Sequence, residues 1–109
     1  MEKNFEHTVC PACGIIDRFG DKWSLRILVL LYQEGTLRFG EIFHKIPGIS
    51  QKVLTGKLRV LETDKLLART IYAEVPPRVE YTLTPLGQSL IPALDGLVNW
   101  AIEHAEEMK

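Results

Sequence analysis

GISQKVLTGKLRVLE, residues Gly48 to Glu62, is the stretch whose reading decides the fold. Ser50 has the chemistry of a helix N-cap, a hydroxyl that accepts from an amide of the first turn, and Gly48 gives the chain room to turn before it. A helix from Gln51 to about Glu62 follows. At about 100° per residue it gathers Val53, Leu54, Leu58, Val60 and Leu61 on one side and Lys52, Thr55, Gly56, Arg59 and Thr63 on the other. One face is apolar; the other hydrogen-bonds and carries positive charge. Alone, that pattern fits any amphipathic helix that covers a core, so the neighbouring elements must decide its use.

Upstream, Pro47-Gly48 halts a helix over Phe39 to Ile46, in which Phe39, Ile42, Phe43 and Ile46 recur at helical spacing. Thr36-Leu37-Arg38 reads as a brief extended segment. Gly35 ends a longer helix, DKWSLRILVLLYQ, which Asp21 caps; Trp23, Leu25, Ile27, Leu28, Leu30 and Leu31 leave it few polar positions, and it belongs at the centre of the core. Before it, Cys10-Pro11-Ala12-Cys13 opens a short helix, with Pro11 at the first helical position, where its missing amide hydrogen costs nothing. Ile15, Ile16 and Phe19 form its apolar side and Gly20 ends it. Residues 1–9 have no periodicity and read as a loose arm.

Downstream, Leu66 to Glu74 is rich in strand formers, and Arg78 to Thr84 alternates, with Val79, Tyr81 and Leu83 facing one way and Arg78, Glu80 and Thr82 the other. Val75-Pro76-Pro77 cannot continue a ladder and must be the bend of a two-stranded hairpin. Thr84-Pro85 restarts a helix whose Leu86, Leu90, Leu94, Leu97, Ala101 and Ala105 form a stripe. Pro92 lies inside it and predicts a kink or break near Gln88 to Ile91. The fold class is therefore mainly α with a small β-hairpin wing. It is a winged helix-turn-helix forming a single domain over 1–109, with an N-terminal arm at 1–9 and an added terminal helix over 85–107.

Length and composition agree with one globular domain: 109 residues, 46% hydrophobic and 25% charged. No run approaches the length of a membrane span and the acidic start is unlike a signal peptide, so a cytoplasmic protein that does not contact membranes is expected. The net charge of −1 argues at first against nucleic acid. The charges are segregated, however: residues 35–83 carry eight basic and five acidic side chains, residues 84–109 one and four. A basic centre with an acidic tail suits a protein that meets DNA with one surface only.

In the helix after Ser50, Gln51 can pair bidentately with an adenine edge, Lys52 and Arg59 can reach guanine or phosphate, and Ser50 and Thr55 add shorter polar contacts. Ser50, Gln51, Lys52 and Thr55 are the candidates for contacts at or near bases, and Arg59 for phosphate. Lys57 projects toward the apolar arc and snorkels past it. Arg78, beside the stiff hairpin tip, is a candidate for the minor groove or a phosphate; its alternative is an ion pair with Glu74 or Glu80. Trp23 and Trp100 read as core or interface packing. His7, Cys10 and Cys13 are spaced for three zinc ligands but lack a fourth, so neither metal nor cofactor is expected. No phosphate loop, nucleophile elbow or carboxylate pair suggests an enzyme.

Several of these motifs, in this order, resemble one family. Cys10-Pro11, Gly20-Asp21-Lys22-Trp23, Arg38-Phe39, PGISQKVL from Pro47, LRVLE to Glu62 and PPRVEYTLTPLG from Pro76 to Gly87 are similar to the HxlR group of bacterial winged-helix transcription regulators, relatives of the MarR type. The resemblance implies a homodimer joined by its terminal helices, with recognition helices in successive major grooves. Double-stranded DNA carrying an inverted-repeat operator is then the expected partner. It also implies that Cys10, at a helix N-terminus that favours thiolate, senses oxidants or electrophiles, as a cysteine at this position does in some members. The plain alternative is a small buried residue at the dimer interface. Two positions depart from the family pattern: Lys65 stands where glycine is usual, and Cys13 is an additional thiol that could act as a resolving partner. Two other classes of function remain open: a winged-helix module for protein contacts alone, against which Lys52 and Arg59 count, and a redox or zinc protein built on the Cys10–Cys13 segment.

Overall fold

Asp21, Ser50 and Thr84 start three of the helices by the same device, a side-chain oxygen that accepts from backbone amides of the first turn. The computed structural model describes residues 13–109. In order they form α1 (Cys13–Phe19), α2 (Lys22–Glu34), β1 (Leu37–Arg38), α3 (Phe39–Lys45), α4 (Gln51–Thr63), β2 (Leu67–Tyr72), β3 (Arg78–Leu83) and α5 (Pro85–His104). Each expected element is present to within a few residues at its ends. The expected start of the first helix at Pro11, and the arm, lie outside the described residues.

The core is built around α2. Ile27 and Leu28 are fully buried and Leu31 nearly so, in one cluster with Ile42 of α3 and Ile46 just after it, Leu54, Leu58 and Leu61 of α4, Leu67 and Leu83 of the hairpin, and Ile91 and Leu94 of α5. Each such side chain contributes about 1.5–3 kcal/mol by leaving water. At the head of α2, Asp21 Oδ1 accepts from the amides of Trp23 (3.0 Å) and Ser24 (2.9 Å), and Oδ2 from the Ser24 hydroxyl (2.8 Å). The Lys57 ammonium lies 3.2 Å from Oδ2 and so ties α4 to this cap. Burial alone would raise the Asp21 carboxyl, but the hydrogen bonds from Ser24 and the charge of Lys57 together hold it below the ordinary carboxylate range.

The sheet has three strands, not the two of a bare hairpin, in the antiparallel order β1-β3-β2. Leu67 pairs with Leu83, Arg69 with Tyr81 and Tyr72 with Arg78, while Leu37 and Arg38 of β1 pair with Tyr81 and Glu80 on the other edge of β3. Two residues carry no alternation to read, so only the tertiary pairing makes them a strand.

The turn out of α4 fixes where the hairpin stands. Lys65 donates to the Glu62 carbonyl (2.9 Å) and Leu66 to that of Leu61 (3.0 Å), a Schellman closure with Lys65 in the left-handed region at φ 66°. The Thr84 hydroxyl donates to the Lys65 carbonyl (2.6 Å) and accepts from the Gly87 amide (3.0 Å), which fastens the head of α5 to that turn. Gly87 is required there, since a Cβ would come within 2.0 Å of the Leu66 carbonyl oxygen.

In α5 one part of one expectation is corrected, the break at Pro92. The helix is continuous across Pro92, so the expected break does not occur; Gln88, whose carbonyl loses its amide partner, is exposed and within reach of water. Of the expected stripe, Leu94 is buried and Leu90 packs against the core beside Gly87 and Ile91, while Leu86 and Leu97 are 55% and 56% exposed and remain uncovered by this chain. Among the described residues no helix is long and apolar enough to cross a membrane.

Candidate nucleic-acid interface

The α4 helix lies with Leu54, Leu58 and Leu61 buried, and this fixes what it shows to solvent. Gln51, Lys52, Thr55, Gly56 and Arg59 form one exposed face, as the 3.6-residue period dictates. Val53 and Val60, assigned to the apolar arc, are instead 37% and 39% exposed at its borders, so the buried stripe is narrower than the pattern suggested. The Ser50 hydroxyl accepts from the Val53 amide at 3.1 Å, which leaves its hydrogen to donate outward.

The opposite side of α4 is fastened by charge at two points. Lys57 reaches Asp21, as its inward projection implied. Arg18 of α1 donates through Nε to Asp64 Oδ2 at 2.6 Å, a contact that no sequence spacing signalled because it joins residues 46 apart. Gln51, Lys52, Thr55 and Arg59 thus share one exposed surface on a helix held from behind, with Ser50 exposed at its N-terminus.

Arg78 stands apart from that surface. It lies on the other face of the hairpin from Arg69 and Tyr81, with Nη2 3.4 Å from Glu74 Oε2, Nε 3.5 Å from Glu80 Oε2 and its guanidinium 4.1 Å from the Tyr72 ring centre. Both ion pairs weighed as its alternative are formed, and a phosphate would have to displace carboxylates to reach it. Arg69 was missed by the sequence reading: its Nε lies 3.4 Å from Glu62 Oε2, beside Arg59 and Tyr81. Alternation from buried Leu67 would have placed Arg69 on the inner face of the hairpin, next to α4.

Cys10 lies outside the described residues and Cys13 opens α1. His7 lies outside as well, so the three-ligand zinc spacing cannot be placed. Among the described residues no group of three or more metal-binding side chains occurs. Trp23 is half-buried against the core with the Lys22 ammonium 4.7 Å from its ring centre. Trp100 is 51% exposed and stacks on His104 at 4.5 Å.

The model of the HxlR-like helix-turn-helix family matches residues 18–109. An uncharacterized HTH-type transcriptional regulator of Methanothermobacter thermautotrophicus is 47% identical over 92 residues, spanning 84% of this chain and 70% of that protein. A MarR-family transcriptional regulator from Enterococcus faecalis V583, known as a crystal structure, superposes with a TM-score of 0.75 at 43% identity, covering 85% of this chain and 84% of its own. The redox regulator HypR in its reduced form superposes with a TM-score of 0.78 at 35% identity, covering 90% and 96%.

Proposed function

This chain belongs to the HxlR-like helix-turn-helix family and is a transcriptional regulator, not an enzyme, and from that premise we propose that it acts in the cytoplasm as a homodimer binding an inverted-repeat operator. The observation that carries the reading is the exposed face of α4, where Gln51, Lys52, Thr55 and Arg59 stand together on a helix whose other side is locked into the core. The N-terminal half of α4 enters the major groove, with Ser50, Gln51, Lys52 and Thr55 at or near base edges and Arg59 on phosphate. Arg78 is a secondary contact that must exchange Glu74 and Glu80 for the backbone. Two copies related by a two-fold axis place their α4 helices about one helical turn, roughly 34 Å, apart on the duplex.

The test is binding to an operator selected from random sequence. Arg59→Ala weakens binding to all duplexes alike and makes the salt dependence shallower by about one ion. Gln51→Ala relaxes discrimination at particular base pairs by about 1–3 kcal/mol. If neither substitution changes binding, α4 is not the reading helix.

The likeness to a redox regulator supports a second element of the proposal, that Cys10 is a thiol switch with Cys13 as its resolving partner. A bridge between cysteines three residues apart distorts the first turn of a helix and so acts on the helix that stands next to α5. Diamide should lower operator affinity of the wild type and leave Cys10→Ser unaffected. Unchanged wild-type affinity under full thiol modification removes the switch, and a loss that survives Cys10→Ser assigns it to Cys13.

A further inference from the structure

Between α4 and the hairpin lies a cleft of about 240 Å³, lined by Thr55, Leu58, Arg59 and Glu62 of the helix and by Arg69 and Tyr81 of the strands. Leu58 is buried beneath it. The other five bring two guanidinium groups, two hydroxyls and one carboxylate around a space that readily admits a small anion. Burial pushes the Tyr81 phenol above its ordinary value, while Arg69, Glu62 and Arg59 all stand near enough for their charges to act on it. At neutral pH the phenol therefore keeps its proton and can donate. The Arg69–Glu62 pair, at 3.4 Å, is open to solvent, with side chains 44% and 35% exposed, and an exposed pair is weakly held.

The position of the cleft names what could fill it. A helix lying in a major groove about 12 Å wide has a sugar–phosphate strand along each flank. The hairpin stands directly against one flank of α4, through the Arg69–Glu62 pair and the packing of β2 on the helix. With α4 seated in the groove, a strand bordering it on that side would pass over the cleft. Its donors suit a singly charged tetrahedral anion: guanidinium groups fork onto two phosphate oxygens and hydroxyls complete the shell.

We propose that this cleft is a seat for one phosphodiester of the DNA backbone, with Arg69 as its principal ligand and Glu62 as the counter-ion that Arg69 holds when DNA is absent. The inference rests on the DNA-binding reading of α4. It adds a contact that reports no base sequence but fixes how deeply and at what angle α4 enters the groove. Glu62 then works against binding, since its carboxylate competes with phosphate for Arg69 and repels the backbone.

The experiment measures binding of the full chain to its selected duplex across a salt series, and to the same duplex with single neutral methylphosphonate linkages scanned along the strands. Arg69→Gln should lower affinity on the order of tenfold for selected and unrelated duplexes alike, with a salt slope shallower by about 0.9. Glu62→Gln should bind several-fold tighter than wild type. One methylphosphonate position should weaken the wild type and cost Arg69→Gln nothing further, which marks the phosphate seated in the cleft. If Arg69→Gln matches a wild type that binds with ordinary salt dependence, the seat is disproved and the reading of α4 survives. If Glu62→Gln weakens binding as much as Arg69→Gln does, the pair only braces the hairpin and the seat is again disproved. A wild type that selects no duplex overturns both readings.

Discussion

Lys65 occupies the left-handed region at φ 66°, at the residue after the α4 cap where a Schellman closure demands it. A side chain with a Cβ is strained there by about 1–2 kcal/mol, and glycine, which the family resemblance expects at this position, is not. The Lys65 side chain is exposed, so its removal forfeits no burial. Lys65→Gly should therefore stabilise the fold by about 0.5–1 kcal/mol after allowing for the greater freedom of glycine in the unfolded chain. A urea midpoint that rises with an unchanged slope would show it. A fall would mean that the turn is held by contacts of the lysine. Gly87 is the converse case: the Leu66 carbonyl occupies the space of a Cβ, so there glycine is dictated by close approach of two segments.

At the scale of the element, α5 is the helix whose pattern and structure diverge. Pro92 removes one amide from its interior, yet the expected break does not occur; the affected carbonyl belongs to exposed Gln88. The remaining hydrogen bonds and the burial of Ile91 and Leu94 on either side of the proline hold the helix together. Pro92→Ala restores the missing bond and improves helix propensity, and should stabilise by about 1–3 kcal/mol, nearer the lower figure since exposed Gln88 leaves its carbonyl within reach of water. Thermal unfolding checks this. A lowered Tm would show that α5 has a course only proline allows.

At the scale of the whole molecule, the long dimension of 54 Å against 32 and 25 Å comes with a terminal helix that outruns its own core. Leu94 is its last buried residue, yet Leu97, Val98, Trp100 and Ile102 follow at 56%, 46%, 51% and 69% exposure. Ile15 and Ile16 of α1 are exposed as well, and a groove of about 480 Å³ lined by Ile15, Phe19, Leu66, Leu86, Leu90 and Ala93 separates the two helices. So much exposed apolar surface on a small chain is characteristic of an interface. Leu97→Glu should sediment as a monomer at micromolar concentration with its helical signal intact, and operator affinity should fall with it. A Leu97→Glu variant that stays dimeric would place the interface elsewhere.

The sequence by itself determined the order of elements, the cap residues Asp21, Ser50 and Thr84, the bend at Val75-Pro76-Pro77 and the polar face of α4. These follow from local rules: a hydroxyl or carboxylate at a first turn, proline in a ladder, and a 3.6-residue period. Only the tertiary structure decided that Leu37 and Arg38 form a third strand, that Arg18 holds Asp64, that Arg78 is clasped by Glu74 and Glu80 together, and that Arg69 faces Glu62 across a cleft. Each of these depends on where two distant segments meet, and periodicity within one segment carries no information on its partner. The same reason applies to α5, where apolar residues cover more than one face and only packing selects Gly87, Ile91 and Leu94 for burial.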